Sequence, residues 1–243
     1  MQKIMNIVQF LESSMTFTRR HLTFVRKNFK RSVRPLFLLP VLFVGVMACT
    51  EAVGAGRGNG IEPKAGAEAA IQRGSLAFQA GDVSEARRIW REEAERGNPT
   101  AQYFLGGSYE CSCSSSVDYA EAARWYRRAA DQGLPVAQTS LGEMYRDGKG
   151  VRQDHSAAVQ WYRLAATQGY PRAQYSMAYM YYNGFGLEHD TLQELMWLHI
   201  ASINDFRDAT AQLKHRKRDT PAEVFTHSRE RAQICIASGY KEC

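Results

Sequence analysis

The chain predicts an all-α fold of stacked antiparallel helix hairpins, on three observations. Its four tryptophans, Trp90, Trp125, Trp161 and Trp197, recur 35, 36 and 36 residues apart. Prolines, glycines, alanines, glutamines and tyrosines keep the same beat, at Pro99, Pro135 and Pro171, at Gly97, Gly133 and Gly169, at Ala101, Ala137 and Ala173, at Gln102, Gln138 and Gln174, and at Tyr109, Tyr145 and Tyr181. Within each interval the apolar residues fall three and four apart, the spacing of one face of an α-helix.

The unit at 135–170 shows how the elements arise. Pro135 suits the first turn of a helix, where its missing N–H costs nothing, and Ala137, Leu141, Met144 and Tyr145 make one apolar stripe. Asp147-Gly148-Lys149-Gly150-Val151 reads as a turn. Asp154 then caps a second helix that carries Ala158, Trp161, Tyr162, Ala165 and Ala166, and Gly169 supplies the positive φ beyond its end. Small residues at Gly142, Ala165 and Ala166 let the helices approach closely, with Trp161 and Tyr145 expected to fill the remaining volume. One such hairpin cannot bury its apolar faces alone, whereas several in series can.

The pattern Ala137-Gln138-x-x-Leu141-Gly142-x-x-Tyr145-x-x-Gly148-x-Gly150-Val151-x-x-Asp154, continued by Ala158-x-x-Trp161-Tyr162-x-x-Ala165-Ala166-x-x-Gly169, resembles the Sel-one-like repeat, a relative of the tetratricopeptide repeat. Three units match, at 99–134, 135–170 and 171–205. The resemblance implies a right-handed α-solenoid of about five hairpins, with first helices lining a concave face, and a role as an adaptor in protein assembly. A shorter-turned, tetratricopeptide-like hairpin at 66–98 is expected to cap one end and a hairpin at 206–243 the other. Thr220-Pro221-Ala222-Glu223 is expected to form a capping box that opens a helix to about Ala237.

Upstream, residues 1–49 read as an export signal and 50–65 as a flexible linker. The chain has 31 basic and 25 acidic residues; the first 49 residues hold 8 of the former and only Glu12 of the latter, which leaves 23 against 24, a net of −1. The basic balance therefore belongs to the leader, and nucleic-acid binding by the repeats loses its electrostatic support. Basic residues from Arg19 to Arg34 precede the apolar run Pro35 to Ala48, the order of a secretory signal and too short for a comfortable membrane span. Val46-Met47-Ala48-Cys49 resembles a lipoprotein box with Cys49 as the lipidation site, and Val53-Gly54-Ala55 offers an ordinary cleavage site instead. A start at Met15, a twin-arginine signal at Arg19-Arg20 and an uncleaved anchor remain open alternatives, and all place the repeats outside the cytoplasm. Contact with membrane is expected only through this leader or its lipid.

After the leader come Cys111, Cys113, Cys235 and Cys243, an even number in an oxidising compartment. Cys235 with Cys243 is the favoured disulfide, because the intervening residues include Gly239 and can turn back after a helix. Cys111 and Cys113 lie in a turn where Ser112 and Ser114 replace the sister glycines; a local staple and a redox or partner-bonded pair are both open. No His or Cys lies within reach in sequence to complete a zinc site there, and no metal or cofactor is expected.

No nucleophile elbow, metalloprotease motif or phosphate loop occurs, and Gly148 and Gly150 sit where a repeat turn needs glycine. The leading reading is a non-enzymatic scaffold of the bacterial cell envelope that binds a protein or peptide partner. Gln102, Tyr103, Gln138, Arg146, Gln174, Tyr175 and Tyr182 are the candidate partner-binding residues, an amide and aromatic ladder suited to an extended peptide. The same glutamines suit bridges between adjacent hairpins equally well. The alternatives are a cell-wall or β-lactam hydrolase-like enzyme on the same scaffold, although the cysteine pairs of such relatives are absent, and a thiol-based sensor. Lys214-His215-Arg216-Lys217-Arg218 is read as a solvated face near a helix C-terminus, with anionic lipid or an acidic partner as its sharper alternative.

Overall fold

A computed structural model describes residues 62–112 and 117–243, all within the second of the chain's two units, Arg57–Cys243. These residues form helices α1 Glu62–Gln79, α2 Val83–Glu95, α3 Pro99–Glu110, α4 Tyr119–Asp131, α5 Pro135–Asp147, α6 His155–Ala166, α7 Pro171–Asn183, α8 Thr191–Ile203, α9 Arg207–Asp219 and α10 Ala222–Ala237. Among the described residues there is no strand. α1 opens at Glu62, inside the stretch expected to be linker. Each odd helix up to α7 packs on the helix that follows it, and each hairpin then packs its second helix on the first helix of the next. The fold is an all-α hairpin stack of the solenoid type.

The repeat caps its second helices with the same residue each time. Asp82, Asp118, Asp154 and Asp190 each precede a second helix, and their carboxylates accept backbone N–H groups, for example from Glu121 at 2.9 Å and Ala157 at 2.9 Å. Each such cap satisfies a donor that the first helical turn leaves without a partner.

Turn glycines do more than turn the chain. Gly150 has φ +68, and a Cβ there would stand 2.0 Å from the carbonyl oxygen of Tyr119, at the start of the preceding repeat's second helix. Gly186 repeats the arrangement against His155, at 2.5 Å. Both the left-handed backbone and the close approach require glycine, so these turns are also contacts between neighbouring repeats.

The core is built from small residues and from residues other than those the periodicity singled out. Ala101, Ala137, Ala173, Ala129, Ala165 and Ala166 are buried, and Tyr162, not Trp161 or Tyr145, fills the space left by Gly142. Trp161 and Tyr145 pack only partly buried against that core. The reason is angular: Tyr162 lies one residue beyond Trp161, about 100° further round its helix, and so faces α5.

The C-terminal end departs from the hairpin pattern. α9 and α10 both lie against α8 and make little contact with one another. The expected capping box does not form: Thr220 closes α9 in extended backbone, and Pro221, which has no side-chain acceptor, precedes α10. Beyond α10 the chain folds back. Cys235 is bonded to Cys243 with Cα atoms 4.9 Å apart, and Tyr240, at φ +65, accepts a hydrogen bond at Oη from Asn204 Nδ2 at 3.0 Å.

Candidate functional site: the first-helix face

The three repeated glutamines are withdrawn from the surface, with relative exposures of 4%, 4% and 0% for Gln102, Gln138 and Gln174. Each donates its Nε2 to a carbonyl at the end of the preceding second helix: Gln102 to Ala94 at 3.0 Å, Gln138 to Ala130 at 3.2 Å and Gln174 to Ala166 at 3.1 Å. Each also accepts at Oε1 from an amide at the end of its own second helix, namely Gln132, Gln168 and Asn204, all at 2.8 Å. Both ends of every amide are thus engaged in joining hairpins. This corrects their assignment as partner-binding residues, since an amide satisfied at both ends inside the stack has nothing to offer a docking peptide.

The accessible stripe of the first helices lies elsewhere, at Tyr103 and Glu110 on α3, Glu143 and Arg146 on α5, and Tyr175, Tyr179 and Tyr182 on α7. The four candidates other than the glutamines all fall on it. Tyr103 is partly buried between the Phe104 and Tyr126 rings, each 5.6 Å away by centroid, and burial pushes its hydroxyl pKa up. Tyr175 packs 5.0 Å from Phe206. Tyr182 is 46% exposed, with the Arg216 guanidinium 5.3 Å from its ring centroid. Arg146 lies 5.6 Å from the ring of Tyr179, itself 40% exposed, and pairs with Asp147 at 2.7 Å.

Ion pairs tie the stripe together across helices. Arg172 of α7 reaches Glu143 of α5 at 2.6 Å, and Arg216 of α9 reaches the buried Glu194 of α8 at 2.8 Å. Arg216 thereby leaves the basic run at 214–218, whose other cations stay exposed. Burial raises the pKa of Glu194, opposed by its bond to Arg216.

The reach of two second-helix residues to this face went unrecognised in the sequence. Tyr126 and Tyr162 are buried second-helix tyrosines whose rings lie against first-helix glycines, with a Cβ on Gly106 or Gly142 standing 2.9 Å or 2.7 Å from the ring. Their hydroxyls reach the first-helix stripe, where Tyr126 Oη donates to Glu110 at 3.1 Å. The doublets Trp125-Tyr126 and Trp161-Tyr162, each twenty residues after a first-helix glycine, were the available signal. Glu143 with Arg172 had none, because the two are remote in sequence and meet only through stacking. Cys111 is disulfide-bonded, while Cys113 and Cys49 lie outside the described residues.

These joints and caps recur three times from Pro99 onward and the glycine turns twice, and a family model for the Sel1 repeat matches residues 99–134, 135–170 and 171–205. The chain carries three Sel1 repeats. Sel1 repeat proteins are generally protein-interaction scaffolds, and the fold is typically non-catalytic. Among solved structures, the chain is similar to c5321, a protective antigen present in uropathogenic Escherichia coli strains that displays an SLR fold, at 35% identity and a TM-score of 0.57 over 63% of this chain. It is also similar to a Sel1 repeat protein from Oxalobacter formigenes, at 33% identity and a TM-score of 0.55 over 58% of this chain. The chain spans 34% of the length of the first and 58% of the second. No curated protein matches. In the Sel1 repeats of this chain the glutamine joints hold the hairpins in register, and the tyrosine and arginine stripe is what that register presents.

Proposed function

We propose that this Sel1 repeat chain is a non-enzymatic scaffold that recruits a protein partner through the first-helix face, exported by its leader and held at the bacterial envelope through Cys49 or an uncleaved anchor. The observation that carries the reading is the continuous stripe from Tyr103 to Tyr182, which sets four tyrosines, Arg146 and two glutamates across three adjoining repeats. Tyrosine gives contact area and a hydrogen bond at low entropic loss, and arginine is enriched at protein interfaces. The stack holds the stripe in place before any partner arrives, so little ordering is lost on docking.

The test is a crosslinking capture from intact envelopes with wild type, a Tyr179→Ala/Tyr182→Ala variant and a variant of the outward α10 residue Glu230→Ala, all checked for helicity. A partner captured by wild type and Glu230→Ala but lost with the tyrosines supports the reading. Equal capture by all three, or none by wild type, removes it. Labelling with radioactive palmitate, and its loss in Cys49→Ser, tests the anchor separately.

A further inference from the structure

Tyr126 and Tyr162 hold equivalent places in successive repeats but meet unlike partners. Tyr126 Oη donates to Glu110. In the next repeat Arg146 stands at the register position of Glu110, and Tyr162 Oη, on a side chain with no exposed surface, has no hydrogen-bond partner among the described residues. An arginine has no acceptor to give, so replacing the carboxylate leaves the phenol as a donor with nothing to donate to. Burial pushes its hydroxyl pKa up, which keeps the proton in place.

The charged groups around it are Arg146 and Arg172 with Glu143 and Asp147. Both carboxylates are engaged: Glu143 Oε1 takes two bonds from Arg172, and Asp147 is held by Arg146 Nε and Lys149. Among the described residues the Arg146 guanidinium donates a hydrogen bond only through Nε, to Asp147, which leaves both Nη groups to donate. Its guanidinium lies 5.6 Å from the Tyr179 ring, and a partly exposed pair between sequence neighbours is weak enough to be displaced.

A group that satisfies a phenolic O–H and a guanidinium fork together is a carboxylate. We propose that the position between Tyr162 and Arg146 receives an aspartate or glutamate side chain of the partner, its oxygens accepting from Tyr162 Oη and the Nη groups of Arg146. Arg146 moves off the Tyr179 ring to admit it. This rests on the first-helix face being the binding surface.

The test is selection of a random peptide library on the immobilised full chain, read by sequencing, for wild type, Tyr162→Phe and Arg146→Gln. Tyr162→Phe keeps the ring against Gly142 and removes only the hydroxyl, and its fold is checked by thermal unfolding. Wild type is expected to enrich peptides with a fixed Asp or Glu. Tyr162→Phe and Arg146→Gln should lose that preference, with the best selected peptide binding about tenfold more weakly. Enrichment without an acidic position, or an acidic preference kept by folded Tyr162→Phe, overturns the inference. If such acid-independent selection still disappears in Tyr179→Ala/Tyr182→Ala, the scaffold reading survives alone; if wild type selects nothing, both fall.

Discussion

Gly142 and Tyr162 are fitted to one another: a single methyl on the glycine would stand 2.7 Å from the tyrosine ring, well inside contact distance. The ring has no other place to go, because its side chain is wholly buried between α5 and α6. Gly142→Ala is therefore expected to destabilise the fold by about 1–3 kcal/mol, the usual range for overpacking. Thermal unfolding followed by circular dichroism measures it. An unchanged midpoint would show that the ring has slack the geometry denies.

The glutamine joints make an opposite claim about stability and binding. Gln138→Ala strips the buried Ala130 carbonyl of its side-chain donor and removes one of the two acceptors of Gln168, at an expected loss of about 1–2 kcal/mol. Partner binding per folded molecule should be unchanged. Loss of binding at full stability would return Gln138 to the docking surface.

At the C-terminus, Cys235 and Cys243 hold the hook that carries Tyr240 to Asn204. Replacing both cysteines by serine should lower stability by about 2–3 kcal/mol, from the short loop closed by the bond. Hydrogen exchange should quicken at Tyr240 and Lys241 while α5 and α6 stay protected. Protection that persists through residue 243 in the reduced form would assign the hook's stability to its contacts alone.

Acid should loosen the same end. Burial, aided by Arg229, lowers the pKa of His199 below its ordinary 6.5, and its Nε2 is buried without a hydrogen-bond partner among the described residues. The unfolded chain therefore binds the proton more readily than the folded one, so this contribution is complete above pH 6.5 and is lost as pH falls toward the folded value. Denaturant midpoints measured across that window should fall with pH in wild type, and less so in His199→Gln. Parallel pH profiles for the two proteins would clear His199 of any part in it.

The hairpins were legible along the chain, because helix caps, turn glycines and apolar spacing act between residues close in sequence. Asp154 capping α6, Gly150 at positive φ and the Cys235 to Cys243 bond all follow from such local constraints. Tertiary structure alone decided which side of each helix became joint and which became surface. Gln138 and Arg146 stand on one short helix, yet one is sealed between hairpins and the other lies over Tyr179 of the next repeat. The pairing of Arg172 with Glu143, the removal of Arg216 to Glu194 and the packing of α9 and α10 on α8 likewise depend on the angle at which neighbours stack. Repetition supplies the positions, and burial against the next unit assigns their use, since a polar group enclosed by a neighbour must bond to it while the same group one turn away remains in water.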